Sequence, residues 1–252
     1  MTEGATIPSR TLGRFGATLA AAGYTERGLA RLLGVDALPT PIGQAQQEIF
    51  RRRLISGDGG ELVTLALCLL LGEPASRHTF AQALPGVDIN ELKEVGLLLS
   101  GNGDEDTVRA GFAITPWKGL LLAHDAYVSK KVTMEHVTGV TAATKTLAGL
   151  TVRREALSSL DLGSGCGALA LLLAYHSGRV TATDVNRRAL FLTELNAGLN
   201  SLPSVHTRLG SLFEPVAGER FDVIACNPPY VISPENDLIF RDSGLPGDTI
   251  CR

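Results

Sequence analysis

Three groups of chemically capable residues lie between Leu160 and Tyr230: Asp161-Leu162-Gly163-Ser164-Gly165-Cys166-Gly167, then Asp184, then Asn227-Pro228-Pro229-Tyr230. Glycines at 163, 165 and 167 let a backbone turn tightly and approach a bound molecule with no Cβ in the way. By spacing alone, Gly163, Gly165 and Ala168 also satisfy the loose G-x-G-x-x-A pattern of dinucleotide sites, so the loop points to a nucleotide-like ligand and no further. Asp161 narrows the choice, because a carboxylate beside the loop repels a pyrophosphate and suits a cationic amino-acid moiety. S-adenosylmethionine carries a sulfonium and an ammonium group, whereas NAD presents anionic phosphates; the acid favours the methyl donor. Asp184 follows at a distance suited to accepting both ribose hydroxyl protons, which either ligand would need, and its bland alternative is to cap the next helix.

Asn227-Pro228-Pro229-Tyr230 is the most specific of the three. An amide nitrogen or an aromatic amine is a poor nucleophile because its lone pair is delocalised. A side-chain oxygen on Asn227 and the carbonyl of Pro228, held by prolines that fix φ, would accept the two amino protons and favour a more pyramidal nitrogen. Tyr230 would stack on the planar group, and Asn227 would border both donor and acceptor. Catalysis in such a site is positioning and polarisation, with no strong base.

The elements that must hold these residues alternate between apolar runs and helical runs. Strands are expected over 156–162 and 179–184 and ending near 208 and 226, with helices over 168–176 and 186–200. Alternation of this kind builds a parallel α/β sheet, whose ligands bind at the carboxyl ends of the strands.

In that order, the D-L-G-S-G-C-G run, Asp184 and N-P-P-Y resemble a class I S-adenosylmethionine-dependent methyltransferase of the N-P-P-Y type, similar to HemK-like release-factor glutamine methyltransferases and to ribosomal RNA guanine-N2 methyltransferases. The resemblance runs from Val137 to Arg252. It implies a Rossmann-like fold, S-adenosyl-L-methionine as cofactor, and a macromolecular substrate: RNA, DNA or a translation release factor. It further implies that Asp161, Gly163, Gly165 and Gly167 line the methionine side, that Asp184 holds the ribose, and that Asn227 to Tyr230 receive the target nitrogen. Where the family offers an acid to adenine, the chain has Gly210-Ser211-Leu212-Phe213, which puts Ser211 and Leu212 in that slot and Phe213 beside the ring. Gly244 to Asp248 resembles the glycine-rich segment that follows the motif. The family's sheet has seven strands. Only the first four are identifiable before Arg252, so the chain reads as the N-terminal part of a longer enzyme with an incomplete sheet.

Residues 1–125 read as a mostly helical accessory domain, 126–155 as a linker or lid over the cofactor, and 156–252 as the methyltransferase domain. Short helices are expected between Ser9 and Gly34, with Ser9 and Thr25 as caps, and another from Thr40-Pro41 to about Arg53. Arg51-Arg52-Arg53 at its end is either a solvated helix terminus or a phosphate contact. Helices over 61–71, 76–84 and 88–100, an acidic loop over 101–106, a strand over 108–114 and a strand over 120–123 follow the order of a winged helix. Its candidate recognition helix, Ile89 to Gly96, holds two acids and one base, which favours protein contact or scaffolding over nucleic-acid binding. A net charge of -3 spreads no basic field. The four cysteines lack zinc spacing and read as reduced thiols of a cytoplasmic protein; no metal site and no membrane span are expected. Two other functions fit the same residues: a non-catalytic nucleic-acid- or protein-binding module retaining a partial methyl-donor fold, and an NAD-binding oxidoreductase.

Overall fold

The computed structural model describes residues 9–57, 59–101, 104–126 and 133–228. It divides into two compact units, one of residues 1–126 with 198–201 and one of 127–197 with 202–252.

In the first unit, α1 (Ser9–Ala21) has Ser9 as its first residue, whereas α2 (Glu26–Leu33) follows the Thr25 cap as predicted. The Thr25 side chain accepts a hydrogen bond from the Gly28 amide, and Gly34 closes α2 in the left-handed region. The next helix, α3 (Gln44–Ile55), starts later than Thr40-Pro41 suggested, because the Gln46 side chain accepts from the Gly43 amide and fixes the first turn there. Its arginines are engaged within the protein. Arg51 and Arg52 both bind Glu48, and the Arg53 guanidinium donates to the Leu33 carbonyl at the end of α2. These bonds account for the triplet as helix-end structure, with no need of a phosphate.

Then come α4 (Glu61–Leu65), a π-helical turn over Ala66–Leu70, β1 (Ala75–Ser76), α5 (Arg77–Gln82) and α6 (Ile89–Glu94). The helix expected over 88–100 ends at Glu94. Gly96 takes a positive φ, and the following residues enter β2 (Leu98–Gly101). β3 (Asp104–Ala110) takes up residues 104–106 of the expected acidic loop, and the strand predicted over 108–114 breaks at Gly111-Phe112 before β4 (Ala113–Trp117). Lys118-Gly119, both at positive φ, turn the chain into β5 (Leu120–His124). The strands form an antiparallel sheet of order β1-β3-β2 and a separate β4-β5 hairpin. β4 is buried along its whole length, and the buried Tyr24 hydroxyl donates to its Ile114 carbonyl at 2.7 Å.

The second unit holds α7 (Ala142–Leu150), β6 (Ala156–Leu162), α8 (Ala168–Ala174), β7 (Ser177–Asp184), α9 (Arg187–Leu199), β8 (Val205–Leu209), a short 3-10 turn at Glu214–Val216 and β9 (Val223–Cys226). The four strands pair in parallel in the order β8-β7-β6-β9, and their ends fall within a residue of those read from the sequence. β6 and β7 are central because their apolar residues are covered on both faces: Leu160, Val180 and Ala182 are fully buried. α8 packs on β6 and β7, and its Leu171 and Leu173 are buried. At the opposite end of β6 from the glycines, the Asp222 carboxylate accepts the amides of Leu157 and Ser158 and fixes where β9 joins. Strands beyond β9, and the Gly244 to Asp248 segment, lie outside the described residues, as does the expectation of an unfinished sheet.

No helix among the described residues is long and apolar enough to cross a membrane, and none of them form a cluster of three metal-ligating groups. Cys68, Cys166 and Cys226 are not joined in disulfides.

Candidate active site

Strand register brings the three sequence groups together. Leu162 pairs with both Thr183 on β7 and Cys226 on β9, so the glycine loop leaves the sheet between Asp184 and Asn227. Adjacent strand ends lie roughly 5 Å apart, the reach of neighbouring parts of one small molecule. A cavity of about 420 Å³ opens there. That is inside the roughly 300–1,000 Å³ range of ligand sites. It is lined by Gly163, Gly165, Asp184, Ser211, Leu212, Asn227 and Pro228, and also by the segment from His136 to Thr144 in the stretch read as a linker or lid. Tyr230 lies outside the described residues.

The glycine loop divides by function. Gly163 and Gly165 have φ of +75° and +55°, and a Cβ on either would meet nothing within 4 Å, so both present open backbone to the cavity. Gly167 also has a positive φ, +79°, but it does not line the cavity. A Cβ there would lie 2.9 Å from the Thr193 side chain, which makes this glycine a packing requirement between the start of α8 and α9. The loop is held by its amides: Gly163 and Ser164 donate to the Thr183 carbonyl, and Gly165 to Asp184 Oδ2 at 2.9 Å.

Asp161 sits behind the loop and does not line the cavity. It is 1% exposed. Its Oδ2 accepts from the Ala170 amide at 2.8 Å, and its Oδ1 is buried with no hydrogen-bond partner. Burial pushes its carboxyl up to about 7, the Ala170 bond lowers it, and the charge of Asp184 adds to the rise. A buried carboxylate oxygen with no donor is expensive, and a cationic group of a ligand would relieve it.

Asp184 has a carboxyl raised by burial against the pull of backbone donors at Asn186, Gly165 and Val185. Its two oxygens accept from Gly165 and Asn186, and an ionised carboxylate has about four acceptor positions, so capacity for ligand hydroxyls remains. The capping alternative falls instead to Asn186, whose Oδ1 accepts from the Arg188 amide at the start of α9. The Asn186 side-chain nitrogen donates to the Glu135 carbonyl at 3.0 Å, tying the 133–144 segment to the end of β7. Sequence reading missed Asn186; its position two residues past the strand-end acid was the available signal.

After β8 the chain turns with Leu212 at φ +47°, and Gly210 and Ser211 reach the cavity beside it. Phe213, expected beside the ring, is 53% exposed and does not line the cavity. Burial raises the Cys166 thiol to about 11, so it is an inert wall of the site.

A parallel sheet of this order, with a glycine loop after its first strand, an acid at the end of its second and an Asn-Pro pair after its fourth, is the arrangement that the sequence resemblance to a class I S-adenosylmethionine-dependent methyltransferase domain implied. Residues 137–240 match the family described as Methyltransferase small domain, and residues 21–111 match a domain of unknown function, DUF7059. The chain is similar to the release factor glutamine methyltransferase of Xylella fastidiosa, 44% identical over 73 residues, which are 28% of this chain and 26% of that protein. It is also similar to the ribosomal protein uL3 glutamine methyltransferase of Bradyrhizobium diazoefficiens, 43% identical over 75 residues, 29% of this chain and 24% of that one. The release factor glutamine methyltransferase of Aquifex aeolicus is 43% identical over 79 residues, 30% of this chain and 27% of that one. The matched stretch thus spans about a quarter of these relatives' length. The methyltransferase match resolves what glycine spacing left open: the cofactor is S-adenosyl-L-methionine, and the NAD reading gives way to it.

The residues present fit that cofactor. Two glycines leave backbone bare toward the cavity, and behind them lies a buried carboxylate oxygen with no hydrogen-bond partner, which a cationic group would stabilise in its ionised form.

Proposed function

We propose that this protein transfers a methyl group from S-adenosylmethionine to the side-chain amide nitrogen of a glutamine in a protein of the translation apparatus. The observation that carries the reading is the shared strand-end register of Leu162 and Cys226, through which the glycine loop and Asn227-Pro228 line one cavity. The glutamine methyltransferase names of its relatives support the choice of an amide over a nucleobase. When bound, the cofactor supplies an electrophilic methyl on a sulfonium. Asp184 holds the ribose, the Gly163–Gly165 backbone passes under the methionine portion, and Ser211 and Leu212 border the base. Asn227 Oδ1 and the Pro228 carbonyl would accept the two amide protons of the acceptor. The nitrogen would form its bond to the methyl carbon as the carbon–sulfur bond of the sulfonium breaks, with S-adenosylhomocysteine as the neutral leaving group, and would give up one proton to solvent. Asp161 balances the donor's ammonium from behind the loop.

The first unit serves this reading as a docking module. Its order of helix, strand, two helices and two strands, with sheet order β1-β3-β2, supports a winged-helix assignment for residues 61–110. The one base on α6, Lys93, is bound to Glu105, which supports a protein rather than a nucleic-acid partner.

The test is transfer of labelled methyl from S-adenosylmethionine into purified release factor, ribosomal protein uL3 and ribosomal RNA. Incorporation at a glutamine is expected, and Asn227→Ala is expected to abolish turnover while donor affinity stays within about twofold. Label in RNA and not in protein, or full turnover by Asn227→Ala, would refute the assignment.

A further inference from the structure

A loop with three glycines in seven residues is entropically costly to order, and in a binding site that cost falls on the ligand unless the protein has already met it. The β7 end holds the loop's amides, as described above, but leaves its carbonyl side to another element. That element is α9. Thr193 and Asn196, three residues apart on one helix face, are both fully buried, an unusual position for polar side chains. Thr193 Oγ1 lies 3.2 Å from the Gly165 carbonyl and 3.3 Å from Ser164 Oγ, and Asn196 Nδ2 donates to the Cys166 carbonyl at 2.8 Å. Gly165 is therefore bound on both sides, its amide by Asp184 and its carbonyl by Thr193.

We propose that Thr193 and Asn196 are positioning residues that clamp the carbonyl face of the glycine loop and hold it in the donor-binding conformation before the donor arrives. The inference rests on the reading of this cavity as the methyl-donor site. Neither residue touches the cavity. They act through Gly165 and Cys166, whose backbone does. The clamp also explains Gly167, since the close approach of α9 that brings the Thr193 hydroxyl to the loop leaves no room for a Cβ there.

The test compares Thr193→Val, which keeps the shape and removes the hydroxyl, with Thr193→Ser, which keeps the hydroxyl. In the full chain, Thr193→Val is expected to weaken S-adenosylhomocysteine binding about five- to tenfold, the value of one hydrogen bond lost in a dry site, while Thr193→Ser stays near the parent. The KM for the acceptor protein should not move in either. Equal donor affinity in the Val variant and the parent would overturn the clamp. Amide exchange in the donor-free protein, compared between the parent and Thr193→Val, reads the same inference without a ligand. Faster exchange at Gly165 and Gly167 in the variant is expected, and equal rates in the two proteins would overturn it. A parent protein that binds no donor refutes the reading of the cavity instead, and the exchange result then still reports on the clamp.

Discussion

Asp161→Asn should make the donor-free protein more stable at alkaline pH and worse at binding its donor. Asp161 is 1% exposed, has one oxygen without a partner, and holds a carboxyl raised from an ordinary 3.8 to about 7, mainly by burial. Between about pH 4 and pH 7 the folded chain keeps this proton while the unfolded chain releases it. Stability contributed by the neutral acid is thus fully present below about pH 4 and is lost as pH rises toward 7. At 1.36 kcal/mol for each pH unit, the loss totals ~4 kcal/mol by pH 8. Asparagine resembles the neutral acid and cannot ionise, so urea unfolding without donor should give similar stability for variant and parent at pH 4.5. At pH 8 the variant should lead by a few kcal/mol, up to that ~4 kcal/mol limit. Asp184, whose carboxyl is also raised by burial, remains in both proteins and tilts both curves alike. Calorimetry at pH 8 should show the opposite order for donor affinity, since the variant offers no negative charge to the ammonium. Parallel stability curves across this range would refute the argument that Asp161 is buried without a compensating partner.

Asp184→Ala removes the acceptor for the Gly165 amide as well as the strand-end carboxylate, and donor affinity should fall at least about tenfold by calorimetry. Gly167→Ala and Gly163→Ala should separate by mechanism. The first pushes a methyl against Thr193 in addition to the left-handed backbone penalty at φ +79° and should cost about 2–5 kcal/mol in denaturant unfolding. The second places its methyl in open cavity space; it carries only the left-handed backbone penalty of about 1–2 kcal/mol and should be read chiefly as lost donor binding.

Much of the second unit was legible because its signals are local. The ends of β6, β7, β8 and β9 follow from apolar runs stopped by glycine, Asp184 or proline, and helices between parallel strands follow from chain connectivity. The first unit was less legible where competing local signals were close in energy. Asp88 and Glu91 mark the start of α6 well, but nothing before the positive φ of Gly96 announces that it ends at Glu94. The arginine triplet left a ligand open because, although Glu48 lies one turn back on the same helix, the Leu33 carbonyl that takes Arg53 is recognisable only once α2 and α3 lie side by side.

By itself, the sequence determined the residue types of the site and their order along the chain: a glycine loop, an acid, and an asparagine before two prolines. Those follow from covalent geometry, since only glycine accepts a positive φ cheaply and only proline fixes φ. Tertiary structure decided which residues face the cavity and which support it. Gly165 faces the cavity and Gly167 faces Thr193, although both are glycines of one loop at similar φ. Asp161 and Asp184 are both strand-end acids, yet one is sealed behind the loop and the other borders the cavity. Asn186, Thr193 and Asn196 carry no motif, because their roles are set by backbone groups about 30 to 50 residues away that folding alone brings within hydrogen-bond reach.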